Sequence, residues 1–257
     1  MKAEKYIEML NYVIAAMTKE EKQDVQFYMN GIGKKCHDES YVTVFTNTVP
    51  FAVAEMMRVL TIECAKENDK SNGKSKQAAV IKSVFKRING QIRPIVTYIV
   101  NGKQVVCDGY RVFEFNEICN SVPIGTEEET KKENPEKYIG CIDEAVKHKN
   151  IELPIPERGK LAAYIKAEKA RLKANGIKKI SYIDIRYNFG AGLPMVAAEF
   201  LLDAIDGIPD GKLYTTTNIH GEVTTVTPLV MLGDNGRTVL MPIKKLPNEY
   251  DAEGTEL

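Results

Sequence analysis

Asn188-Phe189-Gly190-Ala191-Gly192 is the stretch of this sequence best suited to holding a phosphate. Two glycines between an expected strand and an expected helix let backbone amides approach an anion, and a helix N-terminus adds a favourable field. The chemistry would be that of an enzyme acting on a phosphate-bearing ligand. Neither Gly-Lys-Ser/Thr nor a complete G-x-G-x-x-G accompanies the loop. The elements after it read as an antiparallel meander, whereas a dinucleotide fold needs a parallel return strand. A plain connecting loop is the simpler reading. Cys36-His37-Asp38-Glu39 gathers metal-ligand types, but adjacent residues of an extended loop point apart, and His148 and His220 are distant in sequence. Glu127 and Glu129 lie in a polar run and read as surface carboxylates, and no Ser or Cys occupies a recognisable nucleophile elbow. The expectation is a protein without catalytic residues, metal or cofactor.

A second chemistry is electrostatic. Lys166, Lys169 and Lys173 recur three and four apart, which puts them on one face of a helix. Arg158, Lys160, Arg171, Lys178 and Lys179 extend that segment, with Glu157 and Glu168 as its only counterweights. Lys82 and Lys86 form a similar pair, with Arg87 beside them and Lys76 upstream. Lys plus Arg and Asp plus Glu number 35 each, so basic faces in this chain mean that charge is segregated. Such faces can follow the phosphates of duplex DNA without reading bases. The plainer reading of either helix alone is a solvated face.

These side chains need elements to position them. Tyr6, Ile7, Leu10, Ile14 and Met17 fall at helical spacing over residues 3–17. Thr18-x-x-Glu21 reads as a capping box opening a second helix toward Asn30-Gly31, although DVQFYMNG also tolerates a strand. YVTVFT (41–46) has strand composition. Pro50 opens a helix to about Lys66, and KQAAVIKSVFKRI forms another, with Val80, Ile81, Val84, Phe85 and Ile88 inward. IVTYIV and KQVVC flank Asn101-Gly102, a hairpin signal, and Asp108-Gly109 turns into YRVFEF. Residues 121–150 are polar and read as a solvated insertion. PERGKLAAYIKAEKARLKANG is a helix, KISYIDIR a strand and PMVAAEFLLDAI a helix. KLYTTTNI, EVTTVTPLVML and RTVLMPI then read as strands. Helix–strand–strand–strand thus occurs twice, and the stretch from Val49 to Met57 is echoed by Leu193 to Leu201, so a duplicated unit is predicted.

With 257 residues, 44% hydrophobic and 27% charged, the chain has room for two packed domains. The division expected is 1–120, with the first 48 residues helical, and 121–257, with 121–178 a helical insertion in the second. Five unclustered cysteines read as free thiols of a reducing compartment. The N-terminus has no signal-peptide pattern and no run reaches the length of a membrane span, so a cytoplasmic location is expected.

Three tags resemble one family. Arg93 to Phe115 is similar to the segment of bacterial sliding clamps that runs into their TDGHRL turn, here Cys107-Asp108-Gly109-Tyr110-Arg111-Val112. AAEFLLDAIDGIP resembles the last helix of those clamps, and TVLMPIKKL resembles their terminal VVMPMRL. The family is that of the β subunit of the bacterial replicative DNA polymerase, including shorter relatives carried by mobile elements. The resemblance implies an α+β, DNA-clamp-like fold of repeated helix-plus-antiparallel-sheet units that closes rings as a homo-oligomer. It implies a processivity factor for DNA replication, with duplex DNA against Lys82, Lys86, Lys166, Lys169 and Lys173. It also implies a groove for a short peptide of a DNA polymerase or clamp loader. Carried over by motif, its walls are Gly109, Tyr110, Arg111 and Val112 with Val239, Met241, Pro242 and Ile243. The other readings are a clamp-derived binding module that does not encircle DNA, and an enzyme using loop 188–192.

Overall fold

The structure, a computed structural model, describes residues 3–29, 49–88, 96–246, 249 and 251–257. The strand expected at 41–46, the cap pair Asn30-Gly31 and the Cys36–Glu39 cluster lie outside the described residues. The chain divides into two compact units, Met1–Ser75 and Lys76–Leu257. The boundary expected at 120–121 falls inside the second.

The described residues of the first unit include three helices, α1 (Ala3–Ala16), α2 (Lys19–Met29) and α3 (Val49–Ser71). The capping box that opens α2 is present, with Thr18 N donating to Glu21 Oε2 at 2.8 Å and Glu21 N to Thr18 Oγ1 at 3.2 Å. DVQFYM is therefore helix rather than strand. Val25, Val53 and Ala54 form a small core, flanked by Leu10, Ile14, Met17 and Tyr28.

The second unit opens with α4 (Ser75–Ile88), followed by β1 (Tyr98–Val100), β2 (Lys103–Cys107) and β3 (Arg111–Phe115). After α5 (Glu127–Glu133), α6 (Glu136–Lys147), β4 (Lys149–Leu153) and α7 (Arg158–Ala174) comes a two-stranded pair, β5 (Arg186–Asn188) and β6 (Met195–Ala197). Helix α8 (Ala198–Gly207) then leads into β7 (Lys212–Thr216), β8 (Leu229–Gly233) and β9 (Gly236–Leu240). The main sheet has seven strands in the order β1-β2-β3-β9-β8-β7-β4. Every neighbouring pair is antiparallel. The fold is accordingly α+β.

Helix–strand–strand–strand occurs twice in this unit, as α4-β1-β2-β3 and α8-β7-β8-β9. The repeats do not form separate domains. Their last strands pair with each other, Arg111 against Leu240 through Phe115 against Gly236, so both belong to one sheet. The partner of α8 in the repeat is α4, not the Pro50 helix of the sequence echo. The hairpin turn at Asn101-Gly102 has φ of 50° and 77°, as its type requires.

The pleat sends alternate residues of the central strands to opposite faces. Phe113, Phe115 and Leu240 enter a core with Ile81, Val84 and Phe85 of α4, Leu161 and Ile165 of α7, and Leu201 and Ala204 of α8. Val105, Val112, Val230 and Val239 enter a second core under Ile142 and Ala145 of α6. Residues 121–150 are thus not a solvated insertion. Helix α6 covers one face of the sheet, and β4 extends its edge by pairing with β7. The polar composition misled because α6 buries only a narrow stripe.

Two expected boundaries also shift. KISYIDIR is a single 3-10 turn, Tyr182–Asp184, leading into the short strand β5. The helix expected from Pro194 starts at Ala198, because Met195–Ala197 pairs with β5 and Ala198 N is held by Ile185 O at 2.9 Å.

The β3–β9 seam has one site of extreme closeness. At Gly236, φ is +149° and a Cβ would meet the Glu114 carbonyl oxygen at 2.2 Å. At Gly102 a Cβ would meet open space. Gly236→Ala is therefore expected to cost more than about 3 kcal/mol, by forcing the seam apart, against about 1 kcal/mol of backbone strain for Gly102→Ala. Urea unfolding of the two variants measures the difference, and equal losses would contradict it.

Candidate functional site

The seam brings the first and third tags together. Arg111 pairs with Leu240 at the end of the ladder, and the next residues continue the contact, Met241 N donating to Tyr110 O at 2.8 Å. Pro242 then turns the chain away from β3. Its missing N–H costs nothing there, since the ladder has ended. Ile243 N donates to Met195 O at 2.7 Å, which ties the segment to β6.

Tyr110 and Met241, on neighbouring strand ends, are each 43% exposed. Pro242 and Ile243 are half-buried beside them, and Gly109 is exposed in the turn. The three other expected wall residues do not face solvent. Val112 and Val239 are cross-strand partners whose side chains the pleat turns under α6. Arg111 is 3% exposed.

Arg111 is held inward by charge. Its Nε donates to Asp108 Oδ2 at 3.1 Å, and its Nη1 pairs with Asp203 of α8. Nη2 reaches Ser83 Oγ of α4 at 3.3 Å, and Ser83 in turn donates to Asp203 Oδ2 at 2.6 Å. The guanidinium lies 4.3 Å from the centre of the Phe200 ring. Tyr182 stacks on Phe200 at 5.0 Å and packs against Tyr110 at 5.3 Å. Asp108 also accepts from the backbone N–H of Tyr110 and of Arg111 at 2.9 and 3.0 Å, which sets the turn before β3. One buried cation therefore fixes the turn that presents Tyr110. Burial raises the Asp203 carboxyl above the ordinary aspartate range, and the opposing pull of Arg111 and Ser83 does not overcome it.

On the helical face lies a cleft of about 760 Å³. Ser83 and Lys86 of α4, Lys169 of α7, Lys179, Ser181 and Tyr182 of the following loop, and Glu199, Phe200 and Asp203 of α8 line it, with Arg111 at its base. It gathers two of the five lysines expected to meet DNA, Lys86 and Lys169. Lys169 is already paired with Glu199. Lys82, Lys166 and Lys173 are exposed on the same helices but outside the cleft. Asp203, Ser83 and Tyr182 were missed by spacing arguments. Only the LLD of the second tag pointed toward Asp203, which lies 92 residues from Arg111.

Loop 188–192 does not have the geometry of a phosphate cradle. It joins two antiparallel strands rather than a strand and a helix. Gly190 N is taken by Asn188 Oδ1 at 3.2 Å, and the Gly190 carbonyl accepts from the buried Lys245 Nζ at 2.8 Å. The acidic tail covers this hairpin, with Thr255 N donating to Asn188 O at 2.8 Å and Glu249 pairing with Arg186 at 3.0 Å. Among the described residues, no group of three or more His, Cys, Asp or Glu could hold a metal ion, and no helix is long and apolar enough to cross a membrane.

Removing Arg111 strands two carboxylates. Arg111→Met is expected to cost about 3–5 kcal/mol at neutral pH, the range for breaking a buried pair from one side. Without the cation, Asp203 rises further. A carboxyl whose folded pKa exceeds its unfolded value contributes stability below the unfolded value and loses it as pH rises through the folded one. The deficit of the variant should therefore shrink toward acid pH, and a deficit that grows on acidification would contradict this assignment. Comparisons with known proteins add no identity to this geometry: no protein-family model, curated protein or solved structure matches the chain.

Proposed function

We propose that this chain is a sliding-clamp-like protein, a non-catalytic processivity factor that holds replication proteins on duplex DNA. The observation that carries the reading is the meeting of the two tags at the end of β3 and β9, where Met241 N bonds to Tyr110 O. Two tags so far apart in sequence have no local reason to converge. Convergence at an exposed apolar pair is what a peptide-reading surface requires, since apolar anchors supply most of the affinity of such contacts. The repeated α-β-β-β units joined edge to edge support the same reading. Exposed lysines on α4 and α7 share the helical face and supply the sequence-independent attraction to DNA phosphates.

A second reading, a binding module that does not encircle DNA, draws on the carboxylates Glu199, Asp203 and Asp206 of α8, which weaken the positive field of the helical layer. Both readings place the partner peptide on Tyr110 and Met241.

The test is fluorescence polarisation with a labelled peptide of the polymerase clamp-binding type. Wild type should bind it. The double variant Tyr110→Ala, Met241→Ala should lose about 30-fold or more in affinity, about 2 kcal/mol, as truncation of central anchors does. Neither side chain belongs to the two cores of the unit, so the double variant should still fold, as its melting curve would show. Binding of the double variant at wild-type affinity, or no binding by wild type, would remove the groove assignment.

A further inference from the structure

We infer that the cleft between α4, α7 and α8 is a binding site for a phosphate group. Four cations line it, Lys86, Arg111, Lys169 and Lys179, against two carboxylates, Glu199 and Asp203. The carboxylates are already engaged. Asp203 is paired with Arg111 and Glu199 with Lys169. Among the described residues, no carboxylate pairs with Lys86 or Lys179. The lining thus carries four cations against two carboxylates, and Lys86 and Lys179, from different elements, have no ion pair among the described residues. The excess raises the local positive potential, which a bound dianion relieves.

The polar groups around them suit the same ligand. Ser181 lines the cleft between Lys179 and Tyr182, and a hydroxyl there can donate to a phosphate oxygen. The first turn of α8 borders the cleft through Glu199 and Phe200, and no side chain caps that helix N-terminus, so its dipole adds to the field. At about 760 Å³ the cleft is within the range of small-ligand sites. The ligand is not a nucleobase stacker. Tyr182 already packs against Phe200 and Tyr110. Recognition rests on the charged group, whether it belongs to the DNA backbone or to a free phosphate ester.

This inference stands apart from the clamp-like reading, since peptide capture at Tyr110 and Met241 can fail while the cleft still binds. The experiment is isothermal titration of the full chain with inorganic pyrophosphate, repeated with a blunt duplex as competitor. Wild type should bind pyrophosphate. Lys86→Ala with Lys179→Ala should weaken binding by about tenfold or more, and Lys131→Ala with Lys132→Ala, on α5 and outside the cleft, should leave it near wild type. All four lysines are exposed, so both variants should fold. Competition by the duplex would identify the backbone phosphate as the source, and its absence a free phosphate ester; either supports the site. No binding of pyrophosphate by wild type, or equal binding by the two double variants, would overturn it.

Discussion

The antiparallel ladder between β3 and β9 is the constraint on which the rest of the second unit depends. Five residue pairs, Arg111–Leu240 to Phe115–Gly236, join two repeats that would otherwise each expose a strand edge. The ladder puts Phe113, Phe115 and Leu240 on the face covered by α4, α7 and α8, and Val112 and Val239 on the face covered by α6. A slip of one residue would exchange those sets and turn Arg111 and Glu114 to the wrong sides. Register is also held by charge, because Glu114 is bound by Arg237 of β9 at 2.7 Å and by Lys103 of β2 at 2.7 Å.

The same ladder explains why one buried cation matters beyond its own pair. Arg111 begins β3, so anything that fixes its guanidinium fixes the turn before it. Asp108 orders that turn from within the strand pair, and Asp203 and Ser83 anchor it to the two repeat helices. The exposed pair Tyr110 and Met241 and the charged cleft thus share Arg111 as a support. The Phe200–Tyr182–Tyr110 stack joins the lining of that cleft to the exposed strand end.

Local order was legible in the sequence wherever a short-range cause sets it. The Thr18-x-x-Glu21 box, the Asn101-Gly102 hairpin and the inward stripe Val80, Ile81, Val84 and Phe85 are all found as the spacing predicts. What was hidden is long-range pairing. Nothing in the composition of 121–150 shows that α6 roofs the second core, because two fully engaged positions, Ile142 and Ala145, suffice against a flat sheet of valines. The loop at 188–192 looked like a cradle because its glycines were visible and the tail that closes over them was not. Val112 and Val239 were placed in a groove by motif alone, whereas the pleat decides which way each faces. The first and third tags fall at neighbouring strand ends, and the sheet selects which of their residues reach the surface.

The most direct test of the clamp-like account is X-ray scattering on the size-exclusion peak of the full chain, read together with its mass. A sliding-clamp-like protein closes a ring by contacts between copies, so the account predicts a dimer or trimer with the scattering minimum of a hollow particle. A compact monomer at all concentrations would contradict encirclement of DNA.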